Sequence, residues 1–333
     1  MNKLIVILGP TASGKTNLSI KLALSIAEGQ RFKKLGIKGV EIISADSRQI
    51  YKGMDIGSGK ITKKEMRGIP HHLLNVANPK RKFTVAQYQK LALKVIKDIQ
   101  KRNKLPILVG GTGFYIQSVV DGIIIPEVKP DWKLRKKLEK LSNEELFEKL
   151  KKLDPKRAEL IDRQNPRRLI RALEIVLTTK KPVPELQRQT SQFSVLQIGI
   201  AKSPIELKKL IRKRLLNRLR NQAMINEVKK LHIAGLSWKR LEEFGLEYRF
   251  VAQYLSRLQN NRGSSTKSGQ NKITYQQMID KIQIESEHFA KHQMTWFRRH
   301  PAPEQVRCGG SKKINWLNNY KKITQTIDNF ILK

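Results

Sequence analysis

"LIVILGPTASGKT", residues 4–16, is an apolar run that breaks at Gly9, crosses four residues and ends on Gly14, Lys15 and Thr16. An apolar run without alternation is what a strand buried on both faces of a parallel sheet requires. The eight residues that follow it (Gly9, Pro10, Thr11, Ala12, Ser13, Gly14, Lys15 and Thr16) fit the spacing G-x-x-x-x-G-K-[ST]. Such a loop aims successive backbone N–H groups at phosphate oxygens at the start of a helix. Gly9 and Gly14 permit the turn, Lys15 neutralises charge and Thr16 can ligate Mg²⁺. Residues 16–27 read as that helix, with Leu18, Leu22 and Ile26 on one stripe. The loop therefore binds phosphate. It does not say whose, because it would stabilise a diphosphate leaving group as well as it holds ATP.

The pattern continues outward from this loop. "VEII" (40–43) reads as a second strand ending at "SADS", 83–102 as a helix, and "LPILVGG" (105–111) as a third buried strand entering a Gly-Gly turn. Residues 29–39 form a basic, glycine-bracketed connection, and "VLQIGIA" (195–201) a strand returning to the sheet. Strand, glycine loop, helix, strand predicts an α/β fold: a P-loop-type parallel sheet flanked by helices, with sites at the carboxyl ends of its strands. From 131 to 180 the texture changes to charged helices, which predicts a helical insertion. The expected organisation is an α/β core beginning at 1–120, a helical insertion at 121–194, and a return strand with basic C-terminal helices at 195–333. One long basic helix is expected over 206–232 and a last one over 273–299. Residues 260–272, polar and Gly/Ser-rich, read as a loop without chemistry.

Lys and Arg number 67 against 28 Asp and Glu, a formal net charge of +39. Lysine-rich solvated helices account for part of such an excess, but an imbalance this large also sets up an attractive field for polyanions. Cys308 is the single cysteine, which excludes an internal disulfide and a cysteine-held zinc. The apolar start is cut by Gly9-Pro10 before it reaches secretory-leader length, and no run approaches a membrane span. The expectation is a cytoplasmic monomer without membrane contact.

Asp46, just past the second strand, admits three readings: a Walker-B-like carboxylate holding Mg²⁺ through water, a general base, or the cap of an Asx turn. His71-His72 could suggest a metal, but no third ligand accompanies them in the pattern, and they read as structural.

Six segments together resemble the tRNA dimethylallyltransferase (tRNA isopentenyl-pyrophosphate transferase) family: "GPTASGKT", "ISADSRQIYKGMDIGSGK", "HHLLNVANP", "LPILVGGTGFYIQSVVDG", "NPRRLIRALEI" and "KHQMTWFRR". They span nearly the whole chain. The resemblance implies that the loop holds dimethylallyl diphosphate rather than ATP. It also implies transfer of the allyl group to N6 of the adenosine 3′ of the tRNA anticodon, with Mg²⁺ at Thr16. Asp46 would be the base; Thr112 would lie near the bridging oxygen, its alternative role being a helix cap. Lys15 would stabilise the departing diphosphate, and Arg214 and Arg218 match a family arginine pair beside it. The resemblance further implies tRNA contacts at Asp46, Ser47, Arg48, Gln49, Arg135, Arg167, Arg168, Leu169, Ile170, Arg171 and Arg298. Helical spacing puts Arg167, Arg168 and Arg171 on one side of their helix, a pattern equally met in a solvated basic face. Trp296 and Phe297 read as core.

Two departures from the family pattern stand out. "MDIGSGK" replaces the common "MDIGTAK", and "GLEYR" (245–249) puts Glu247 where the family commonly has glycine. Two other classes compete. A small-molecule P-loop kinase would explain the loop but not the charge. A nucleic-acid-binding ATPase would explain both, yet no apolar strand ends in an Asp-Glu pair.

Overall fold

The computed structural model describes residues 2–126, 128–185, 193–260, 273–299 and 313–332. Cys308 and the Gly/Ser-rich stretch from 261 to 272 lie outside them. The chain divides into two compact units, one of Met1–Gly122 with Thr190–Lys333 and one of Ile123–Gln189.

The first unit contains the expected parallel sheet. Its strands are β1 (Lys3–Leu8), β2 (Val40–Ala45), β3 (His71–His72), β4 (Leu105–Gly110), β5 (Ser194–Gly199) and β6 (Ile314–Trp316). Their spatial order is β3-β2-β4-β1-β5-β6, every neighbouring pair parallel. β1 alternates between two apolar clusters: Leu4, Val6 and Leu8 on one face, Ile5 and Ile7 on the other. Each aliphatic side chain buried in this way contributes about 1.5–3 kcal/mol. Helix Lys15–Glu28 covers one face through Ile20, Ala23 and Ile26. Helix Val85–Lys101 covers the other through Tyr88, Ala92, Ile96 and Ile99, and starts at a capping box between Thr84 and Gln87.

The register sets the site. Leu8 pairs with Gly110 and Gly199, and Ala45 pairs with Gly110, so four strands end level. The residues that follow them, Gly9, Asp46, Gly111 and Ile200, leave the sheet along one edge.

Two expectations change. The connection 29–39 holds a short helix, Gln30–Lys34, that buries Phe32. The single helix expected over 206–232 is two, Pro204–Leu219 and Ala223–Ile233. Asn221 and Gln222 between them are left-handed, with φ of 52° and 54°, which ends the helical ladder.

The second unit is helical: Trp132–Leu138, Asn143–Leu153, Pro155–Leu160 and Pro166–Thr179. Leu146, Phe147, Leu150, Leu169 and Leu173 form its core. Ser142, Asp154 and Asn165 cap three of these helices, and Pro155 and Pro166 open two of them, where a missing N–H costs nothing. Among the described residues, no helix is long and apolar enough to cross a membrane.

Candidate active site

The phosphate loop leaves β1 and turns into helix Lys15–Glu28 through left-handed Ala12 (φ 61°) and Gly14 (φ 89°). Gly9 is required by crowding: a Cβ there would lie 2.5 Å from the carbonyl oxygen of Ile200, where the outlet of β5 crosses the loop. Lys15 Nζ donates to Pro10 O at 2.5 Å and to Ser13 Oγ at 3.4 Å, folding back over the loop. Thr16 is exposed on the first turn.

Two residues from distant helices brace this loop. Arg214 donates to Thr11 Oγ1. Gln293, buried on helix Tyr275–Arg299, accepts the Thr11 N–H at 2.8 Å and donates to Gly111 O at 2.8 Å. Gln293 thus clips the phosphate loop to the Gly-Gly turn after β4. Nothing in its spacing marks it, since a lone glutamine in a helix has no motif.

Basic groups crowd this loop, and their charged forms are disfavoured there. Desolvation, and then the neighbouring Arg214, bring the Lys15 ammonium down to about 7, against a smaller upward pull from Asp46. Desolvation, then Arg218, lower Arg214 to about 10, with Glu247 and Asp46 opposing. The Asp46 carboxylate therefore acts on both cations although β4 separates β2 from β1.

Asp46 does serve the turn. Its Oδ1 accepts the N–H groups of Arg48 at 2.8 Å and Gln49 at 3.2 Å. Thr112 does not cap its helix. Its Oγ1 accepts the Ser47 N–H at 3.1 Å, joining the β4 turn to the segment after β2. Arg48 Nε donates to Phe244 O at 2.7 Å, and its guanidinium lies 5.3 Å from the Phe289 ring centre. Gln49 accepts from Ser44 Oγ and donates to Gly59 O, both at 3.2 Å. Residues 46–49 are all half-buried.

Beside them the loop "MDIGSGK" hangs on an acid that no motif marks. Glu227 accepts the N–H groups of Asp55, Ile56 and Gly57 at 2.8, 2.6 and 3.0 Å, and the Tyr248 hydroxyl at 2.8 Å. Arg218 Nη1 donates to Gly57 O at 3.0 Å and to Glu247 at 2.6 Å.

In the helical unit the expected arginine face splits. Arg167 and Arg168 are exposed, but Arg171 and Arg135 both turn onto Glu174, whose side chain is fully buried. Arg171 donates to it at 2.5 Å, and Arg135 at 2.8 and 2.6 Å. Burial pushes the Glu174 carboxyl up, yet these two guanidiniums hold it below its ordinary value. Arg135 and Arg171 are thus committed to an internal ion triad. Leu169 and Ile170 are core, which removes their side chains from any nucleic-acid surface. Arg298 is exposed, Phe297 is buried and Trp296 packs against the core beside Phe114. His72 binds Glu41 at 2.7 Å and His71 the Ile69 carbonyl, both structural contacts. Among the described residues, no group of three or more His, Cys, Asp or Glu could hold a metal.

The profile of the IPP transferase family matches residues 49–300. A tRNA dimethylallyltransferase of Anoxybacillus flavithermus is 40% identical over 300 residues, covering 89% of this chain and 87% of its own. One of Halothermothrix orenii is 37% identical, covering 97% and 91%. The solved tRNA isopentenylpyrophosphate transferase of Bacillus halodurans superposes with a TM-score of 0.64 at 33% identity, over 100% of this chain and 96% of its own. A eukaryotic dimethylallyltransferase solved acting on tRNA gives 0.68 at 25% identity, over 89% and 70%.

Proposed function

The chain belongs to the IPP transferase family of tRNA dimethylallyltransferases, and on that premise we propose how it transfers a dimethylallyl group to tRNA. The donor is dimethylallyl diphosphate, held by the loop from Gly9 to Thr16. The acceptor is N6 of the adenosine 3′ of the anticodon. The observation that carries this reading is the convergence of Lys15 and Arg214 on the loop, within the field of the Asp46 carboxylate.

An exocyclic adenine amine is a weak nucleophile, because its lone pair is delocalised into the ring. Asp46 Oδ1 is held by the turn, so Oδ2 accepts the N6 proton as the C–N bond forms. The allyl C–O bond breaks, and the electron pair leaves with the diphosphate oxygen. Lys15, Arg214 and the loop N–H groups stabilise that growing negative charge. Thr112, fixed by Ser47, ties the base's segment to the turn beside the loop. Thr16 offers an exposed hydroxyl, a hard oxygen that would hold Mg²⁺, and the ion would supply charge neutralisation to the diphosphate. Reaching the base requires flipping it from the anticodon stack at a cost of a few kcal/mol, roughly, which phosphate contacts by exposed arginines such as Arg167, Arg168 and Arg298 help to offset.

The test is incubation of unmodified tRNA with labelled dimethylallyl diphosphate and no ATP. Label appearing in the RNA is the expected result. ATP turnover without RNA labelling would assign the loop to a kinase or ATPase.

A further inference from the structure

The two departures from the family pattern, Gly59 and Glu247, meet at one guanidinium. A Cβ on Gly59 would lie 1.9 Å from Arg218 Nη2, so the glycine makes room for the arginine where it stands. On the other side Arg218 Nη1 is held by Glu247 at 2.6 Å, the two side chains only 10% and 7% exposed. Arg218 follows Arg214 by one turn of helix Pro204–Leu219, and Arg214 is already on the phosphate loop. Three cations, Lys15, Arg214 and Arg218, thus crowd one poorly solvated region. A buried guanidinium among like charges is costly unless a counter-charge is supplied.

We propose that Glu247 is the internal counter-ion of the phosphate site, neutralising Arg218 when no anion is bound and opposing the anion when one arrives. The proposal rests on the reading of the loop as a diphosphate site. Its logic is linkage: two anions that draw on one set of cations bind at each other's expense, and the penalty is mutual. The field of Glu247 also extends past Arg218, since it supports the charged form of Arg214. A side chain acting only as a brace would have the opposite signature at the site, because loosening a brace weakens anion binding along with the fold.

The experiment measures inorganic diphosphate affinity by calorimetry, and the melting temperature with and without diphosphate. Glu247→Gln should lower the melting temperature of the empty protein, since it strands Arg218. It should also tighten diphosphate about tenfold and enlarge the stabilisation diphosphate confers, in the range usual for coupled sites. Donor KM should fall and product inhibition should sharpen. Arg218→Gln strands Glu247 instead and should weaken diphosphate binding. The double variant Arg218→Gln/Glu247→Gln buries no unpaired charge and should regain affinity over Arg218→Gln alone. Diphosphate binding by Glu247→Gln that is unchanged or weaker would overturn the counter-ion role, as would a double variant no better than Arg218→Gln. Wild-type protein that binds no diphosphate would instead overturn the reading of the loop, and this proposal with it.

Discussion

Asp46 is both a turn residue and the proposed base, which decides how it should be tested. Asp46→Ala would unpair two backbone N–H groups as well as remove the carboxylate. Asp46→Asn keeps an oxygen for the turn and removes only the basicity. Its single-turnover rate should fall by roughly 10²–10⁴-fold with tRNA affinity little changed. A rate near wild type would end the assignment. Lys15 gives a second prediction, in the pH dependence. Burial, and then the neighbouring Arg214, bring its ammonium down from 10.5 to about 7. The unfolded chain therefore holds the extra proton between those values, and the empty protein gains stability as pH rises through that window. A bound diphosphate restores the charged form, so donor binding in the same window takes up a proton and weakens as pH rises. Calorimetry in two buffers of different ionisation enthalpy reads that uptake directly; none would mean that Lys15 is charged in the empty loop.

At the level of elements, helix Pro166–Thr179 separates two kinds of arginine that its spacing made look alike. Replacing exposed Arg167 and Arg168 together with alanine should weaken tRNA binding and flatten its salt dependence. On single-stranded RNA the slope should shrink by about 0.7 for each phosphate that is no longer neutralised. Arg171→Ala should leave that slope alone and lower stability by about 1–3 kcal/mol, because it removes a donor from buried Glu174. Helix Tyr275–Arg299 carries the complementary case. Gln293→Leu strands the Thr11 N–H and the Gly111 carbonyl, at about 1–3 kcal/mol for each group. It should weaken diphosphate binding measurably, whereas intact binding would make Gln293 a packing residue.

These contrasts show where the sequence was readable. The strand before Gly9, the helix after Gly14 and the Gly-Gly turn at the end of β4 are local patterns, and local patterns fix the class of fold. Partners that lie far apart in sequence were not readable. Glu227 meets its loop 170 to 172 positions away, and Gln293 reaches Thr11 across 282. Arg171 and Glu174 are only three apart, but spacing alone did not show that Glu174 is buried and draws Arg171 inward. The break at Asn221 was hidden for another reason: a left-handed pair inside a run of good helix formers carries no apolar signal.

For the molecule as a whole, a net charge of +39 exceeds anything the phosphate loop needs. Such a surface attracts any RNA through released counterions, without reading sequence. At low salt, RNA lacking the target adenosine should therefore compete well with tRNA. As salt rises, the general contribution should fade faster than the specific one, and the two affinities should separate. Curves that coincide throughout the salt series would mean that tRNA is held by charge alone.

The strand order carries a further consequence, for the chain as it is made. β1 emerges first, but its neighbours are residues 105–110 and 194–199, and residues 314–316 then extend the sheet beyond β5. Lys3 still waits for the carbonyl of Ile331, 328 positions later. The helical unit at 123–189, by contrast, finds its own core partners within its own span. During synthesis the interruption is finished before the sheet it interrupts. The phosphate loop stays without its β5 crossing until the ribosome has passed Ile200.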